Sequence, residues 1–528
     1  MQYNTFVFLG LFMGLTLLAY YAAPLKVRWG VLLGASIVFY LVGGRQLIFI
    51  VCLTALVVYL AARGLERITV TAKQKRKELP KEERKAFKAQ TAKKKKRLLA
   101  AACIFSVGLL LFLKYFNFFG SSLNELWLKL KLSWEIPYLH LLLPLGISFY
   151  TLSAVSYLAD VYWEKYPAEK NYFKLLLFLI FFPIIVEGPI SRYNQLAGQL
   201  YEGHRFDYHK FTYGLQLIVW GLFKKMVIAD RLNGVASVVF GSYQEHGGLA
   251  VALGILCYTI QLYTEFSGCM DMVTGCAQMF GITLAENFQR PFFSRNINEF
   301  WRRWHITLGA WLRDYIFYPI SLSKFFQNLS KAARKRFNEY FAMTLPAAVA
   351  LFAVWICNGI WHGAEWKYIV YGLYYYIIMQ IGVLAEPLFK RICGVLHLNR
   401  AENKVFHKFQ VVRTCIFVGF GMLIFRAQDL RAAGHMFLSL FDRAKWGAVE
   451  FFWDIGLSPY DYFVALCGVI VVLIVGILNE RGIIVRDCLA SKAYAFRTTV
   501  LIAGVMSVIV LGAYGPGYGA VDFIYAQF

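Results

Sequence analysis

Two imidazoles are the best-placed reactive groups in this chain of 528 residues. His305 stands in Glu299-Phe-Trp-Arg-Arg-Trp-His-Ile-Thr-Leu, and His362 in Asn358-Gly-Ile-Trp-His-Gly-Ala. Both settings are rich in tryptophan; His362 follows a long apolar run, whereas Asn287 to Pro319, which carries His305, is too polar to span yet dense in aromatics. The other seven histidines, His140, His204, His209, His246, His397, His407 and His435, fall in expected loops or interfaces. An ionisable residue at the edge of a membrane segment is costly to keep there and is read first as functional. Desolvation keeps an imidazole neutral at neutral pH, and a neutral imidazole is a serviceable base for a hydroxyl attacking a thioester. The competing structural reading is a histidine satisfied by a backbone carbonyl at a membrane break.

The neighbours of each histidine suggest how it is used. If Asn298 to Phe317 is one helix, steps of three and four residues put Arg302, His305, Gly309 and Arg313 on one face, with Trp304, Leu308 and Trp311 on the other. Such a helix suits a cytoplasmic interface. Its cationic stripe, with Arg303 and Asp314 adjoining, would also form a wall for a phosphate-bearing or thioester donor. Around His362, the small residues Gly359, Gly363 and Ala364 let a backbone or a substrate approach closely. Asn358 and Trp361 precede it, and Glu365 is spaced to orient the ring.

Elsewhere, Glu187-Gly-Pro-Ile-Ser-Arg192 interrupts an apolar segment as a re-entrant turn lining a cavity would. Gln261, Glu265 and Asp271 sit between two short apolar runs and suit structural hydrogen bonding or a polar lining. No Gly-rich phosphate loop, zinc motif or nucleophile elbow occurs. Cys269 and Cys276 lack a second ligand pair, so no metal is expected. Most of the ten cysteines, such as Cys52, Cys103 and Cys257, lie in apolar stretches as small hydrophobes.

The elements that must hold these groups are membrane helices. Hydrophobic residues make up 59% of the chain and charged ones only 16%, against about 25% charged in a soluble domain. A span takes about 20 apolar residues, so the chain supplies roughly a dozen. The net charge of +24 is gathered in short loops between apolar runs, the pattern of positive charge retained inside, which argues against nucleic acid as a partner. The most basic stretch, Arg67 to Arg97, reads as a cytoplasmic hairpin or loop. Spans are expected at Phe6–Ala23, Trp29–Val42, Leu47–Ala62, Leu98–Phe119, Leu145–Trp163, Leu175–Val186, Phe211–Ile228, Leu249–Phe266, Met270–Leu284, Met343–Ile360, Tyr368–Leu384, Val411–Phe425, Val464–Leu478 and Val500–Ala513. Leu126 to Leu143 reads as an interfacial helix, and residues 514–518 as a turn before the aromatic tail Phe523 to Phe528. The lack of an early cationic start favours a retained first helix with its N-terminus outside over a cleavable signal. The expected class is therefore an all-α polytopic membrane protein in one domain, residues 1–528.

Several segments together resemble the membrane-bound O-acyltransferase family, in particular its bacterial branch of alginate O-acetylation proteins. They are Pro144-Leu-Gly-Ile-Ser-Phe-Tyr-Thr, Val186-Glu-Gly-Pro-Ile-Ser-Arg-Tyr, the stretch from Asn287-Phe-Gln-Arg-Pro through Trp304-His-Ile-Thr-Leu to Asp314-Tyr, Asn358-Gly-Ile-Trp-His-Gly-Ala-Glu-Trp, and the aromatic tail. The resemblance implies about eleven to thirteen helices with re-entrant and interfacial segments around a central tunnel. It implies His362 as the catalytic histidine with His305 assisting, and an acyl thioester donor, acetyl-CoA or an acyl carrier protein. It further implies delivery of the acyl group to an extracellular polysaccharide or cell-wall polymer, often through an extracytoplasmic SGNH-type partner. Two departures touch the acceptor and partner: Ser321-Leu-Ser-Lys follows Ile320 where a Gly-Gly turn is usual, and Glu365 replaces an uncharged residue. D-alanyl transfer from a carrier protein to teichoic acid is the alternative within the family. A transporter or channel without covalent chemistry is the alternative outside it, and it predicts paired intramembrane carboxylates and symmetric halves.

Overall fold

The computed structural model describes residues 2–44, 47–395, 403–442 and 457–514. His397, the aromatic tail Phe523 to Phe528 and residues 515–518 of the expected turn lie outside these. Among the described residues, every extended regular element is a helix, and the one strand-like pairing is an isolated bridge between Phe288 and Trp304. Nine of the described helices are long and apolar enough to cross a membrane, from Leu25–Gly44 to Tyr494–Leu511. Their outward faces carry leucine, valine and phenylalanine in the open, for example Leu128 at 76% and Val405 at 77% exposure. In water such a surface would aggregate; in hydrocarbon it is the solvated face.

The chain divides into two compact units, one of residues 1–215 and 273–285, the other of 216–272 and 286–528. In the first, the basic stretch is carried by helix α1 (Ile48–Glu78) and helix α2 (Glu83–Lys129), which turn at residues 79–82. Lys73 and Lys95 both reach Glu164, each at 2.8 Å. The expected interfacial helix over Leu126 to Leu143 is not formed. Helix α2 ends at Lys129 and the chain returns extended, because two α2 asparagines substitute for a β-ladder. Asn124 accepts from the Ile136 N–H and donates to its carbonyl, and Asn117 does the same for Leu139, all at 2.8–2.9 Å. The apolar run before Glu187 is helical only over Tyr172–Ile180, about 14 Å and too short to span as a helix. Glu187 and Arg192 follow, at 1% and 9% exposure.

In the second unit the runs Leu249–Phe266 and Met270–Leu284 are not two spans. Helix α3 (Gly248–Met279) passes through both without a break. The polar residues expected to interrupt it are tolerated because two lysines meet them. These come from Phe223–Ala229, a π-helical turn in the helix that carries the expected span Phe211–Ile228 and continues into Asp230–Gly241. Lys225 lies 3.0 Å from Glu265 and 2.7 Å from Asp230, and Lys224 lies 2.5 Å from Asp271 and 3.0 Å from the Ser267 hydroxyl. These lysines were the missed signal, a cationic pair inside an otherwise apolar run.

The polar stretch after residue 286 forms helix α4 (Ile297–Arg303) and helix α5 (Ile306–Leu312). Three long helices follow: α6 (Glu339–His362), α7 (Trp366–Val395) and α8 (Lys404–Arg426). Of the apolar window in α3, 61% is buried, against 6% for Tyr494–Leu511. Helix α3 is thus packed against protein for most of its length, and the site lies against it.

Candidate active site

The single helix expected from Asn298 to Phe317 is broken at Trp304–His305. Trp304 is extended (φ −107°, ψ 129°) and His305 is left-handed (φ 46°, ψ 51°). A left-handed residue other than glycine costs about 1–3 kcal/mol and persists only where the surroundings demand it. Here the demand comes from residues 287–289, which run antiparallel to 303–306. The Gln289 N–H donates to the Arg303 carbonyl at 2.9 Å and the Ile306 N–H to the Asn287 carbonyl at 3.0 Å. Asn296 caps α4 by accepting from the Glu299 N–H.

The break turns the His305 ring inward, where it is 2% exposed. It packs edge-on against Phe266 of α3, at 4.9 Å between centroids, and 5.6 Å from the Trp361 ring. Its Nδ1 lies 3.1 Å from the Asn287 Oδ1, an oxygen that also accepts from the Thr307 N–H and hydroxyl. Burial holds the His305 pKa far below the usual imidazole range, at about 3. The ring is therefore neutral at physiological pH.

His362 closes the last turn of α6 and is 3% exposed. Its ring meets Trp361, Tyr371 of α7 and Phe425 of α8 at 5.1, 5.6 and 5.2 Å between centroids. The Trp361 indole thus contacts both imidazoles and joins them in an aromatic cage. The small residues beside His362 serve the protein's own packing rather than a substrate. A Cβ on Gly359 would sit 2.4 Å from the Tyr368 carbonyl oxygen, and one on Gly363 would sit 2.3 Å from the Tyr368 ring. Glu365 does not orient the imidazole as expected. Helix α6 has ended by then, and the half-exposed carboxylate is taken by Lys367 at 3.1 Å.

A cavity of about 600 Å³ opens beside His305. Arg302, His305, Gly309 and Arg313 all line it, as one face of a continuous helix would have required. Because the helix breaks, Trp304 and Leu308 line it too. Trp311 stays away, packed on Tyr315 at 5.3 Å. Asn358 contributes from α6. Arg303 points elsewhere, to Glu480 at 3.0 Å and Glu299 at 2.7 Å, and Asp314 lies 3.0 Å from Arg313. Glu187 and Arg192 belong to the other compact unit, outside this lining. No group of three metal-ligating side chains occurs among the described residues. Asn287, the residue that holds His305, lies eighteen residues before it in the sequence. Its signal is the contact, which sequence spacing does not display.

Two buried imidazoles thus share an aromatic enclosure, and the cavity that His305 lines also carries two guanidinium groups. Comparison with known proteins gives the family. The family model described as MBOAT, membrane-bound O-acyltransferase family, matches residues 168–334. The chain is 34% identical to the probable alginate O-acetylase of Pseudomonas aeruginosa, over 67% of this chain and 62% of the relative. It is 32% identical to the probable alginate O-acetylase of Azotobacter vinelandii, over 84% of this chain and 79% of the relative. A peptidoglycan O-acetyltransferase of Helicobacter pylori is 31% identical over 64% of this chain and 63% of the relative. The matched part thus spans somewhat less than two thirds of the first and third of these relatives. The second alignment, reaching across most of both chains, is too long for a likeness of one motif: this chain belongs to the membrane-bound O-acyltransferase family.

Proposed function

We propose that this protein transfers an acyl group, acetyl in the first instance, from a cytoplasmic thioester for O-acylation of an extracellular polysaccharide or cell-wall polymer. The observation that carries this reading is the pair of buried imidazoles joined through Trp361. His362 is the base or relay and His305 assists. The hydroxyl oxygen attacks the thioester carbon, the C–S bond breaks and an ester C–O bond forms. The hydroxyl proton passes through imidazole to the departing thiolate, so no oxidant, metal or net proton is consumed. Arg302 and Arg313 beside the cavity suit the phosphates of acetyl-CoA or of a carrier protein's prosthetic arm. The protein sits in the bacterial plasma membrane with its N-terminus outside, and an extracytoplasmic SGNH-type partner takes the group onward. The names of the relatives support acetyl transfer to a polymer.

The test is His362→Ala in cells at equal protein level, with mass analysis of the surface polymers. Loss of acetyl esters by about 100-fold or more is expected for removal of a positioned base. Unchanged acetylation removes His362 from the mechanism, and loss of D-alanyl rather than acetyl esters replaces the acyl group in this reading.

A further inference from the structure

The oxygen of Asn287 is over-subscribed for a group with only a capping role, since three donor positions converge on it from His305, Thr307 N–H and the Thr307 hydroxyl. Which end of the amide faces them is decided by two neighbours whose roles are not adjustable. The Thr307 backbone N–H at 3.1 Å can only donate, so the atom it meets must be the oxygen. The Met270 sulfur, 3.2 Å from the other end, can only accept, so that end must be the NH₂. Flipping the amide would set donor against donor and acceptor against acceptor in a site where Asn287 is 3% exposed. The orientation is therefore fixed, and with it the tautomer of the neighbouring ring. An imidazole nitrogen 3.1 Å from a carbonyl oxygen must carry the hydrogen.

We infer that Asn287 is a positioning residue that locks His305 in the Nδ1–H tautomer, leaving Nε2 as the atom that exchanges the proton with substrate. The inference rests on the acid–base role proposed above for His305. The backbone serves the same end: the Asn287 carbonyl accepts from the Ile306 N–H, so one residue holds both the left-handed turn and the ring it presents. Helix α3 supports it from behind, with Phe266 against the ring and Met270 against the amide. Arg302 and Arg313 line the same cavity as His305, and Glu265, the residue before Phe266 on α3, is held by Lys225.

The experiment uses the full chain in lipid nanodiscs with acetyl-CoA as the probe, following thioester turnover. Asn287→Leu keeps the size of the side chain but removes the acceptor; kcat falls about 100-fold or more, with KM changed less than about threefold. Asn287→Asp keeps an oxygen at that place and restores kcat to within about tenfold. Its carboxylate favours imidazolium, so the acid limb of the pH–rate profile moves to higher pH, a shift that a merely structural asparagine would not produce. Each variant is compared at matched melting temperature and elution profile; should Leu fail to fold, the Asp profile alone decides. Wild-type kcat in a folded Asn287→Leu, or an Asp variant with an unmoved acid limb, overturns the inference. His305→Ala separates this from failure of the underlying reading: if that variant retains full turnover, His305 has no acid–base part and both fall. If it is inactive while Asn287→Leu is not, only the role of Asn287 falls.

Discussion

At position 305 a ring that would be half protonated near pH 6.5 when unfolded is held neutral by burial, with a pKa of about 3. Its contribution to stability is therefore complete above pH 6.5 and is lost as the pH falls towards 3, because the unfolded chain takes up the proton first. By pH 5 that loss amounts to about 2 kcal/mol. Melting temperatures in detergent at pH 7 and pH 5 should thus separate by less in His305→Gln than in the wild type; an equal drop in both would mean the ring titrates in the folded protein. That both histidines stand out was legible because tryptophan-flanked imidazoles are rare and expensive to bury, and both are buried against Trp361. The partners were less so. Glu365 looked well spaced for His362, but spacing presumes a helix that stops at His362, and Lys367 supplies the nearer charge. Asn287 lies eighteen residues from His305, beyond the reach of any local periodicity.

Between elements, the contact of α6 with α7 is as close as backbones allow. Gly359 faces the Tyr368 carbonyl with no space for a methyl group, an arrangement in which small residues replace the hydrophobic effect as the source of helix association in lipid. Gly359→Ala should cost roughly 1–3 kcal/mol through forced separation of the helices, displacing His362 and reducing turnover. Gly108→Ala on α2, where nothing lies within 4 Å, should leave both melting temperature and activity alone. A glycine tolerant at 359 would mean the helices can part without consequence. The helices themselves were visible as apolar runs. Their interruptions were not: the break at Trp304–His305 arises from pairing with residues 287–289, and the unbroken course of α3 depends on lysines some forty residues earlier. Both are tertiary overrides of a local pattern, and hydropathy carries no trace of either.

For the molecule as a whole, composition alone excluded a soluble protein, and the nine long apolar helices among the described residues agree. The all-α class was legible to that degree. The proposed orientation rests on the distribution of cations. The connection between Glu480 and Tyr494 carries Arg481, Arg486 and Lys492, and the topology proposed above puts it on the cytoplasmic side. Cys488 in that connection is exposed. A membrane-impermeant maleimide should therefore leave it unlabelled in intact spheroplasts and modify it after permeabilisation, measured as the difference from Cys488→Ser. Labelling without permeabilisation would invert the proposed topology.

The neighbouring lysines of the π-helical turn grip α3 at two heights. Glu265 and Asp271 are six residues apart, about 9 Å of helix, so the rod can neither slide nor roll without abandoning a charge to hydrocarbon. Phe266 and Met270 lie between those two grips. The elevation at which an aromatic edge and a thioether meet the imidazole and its amide is consequently indexed by ion pairs that lie outside the cavity lining.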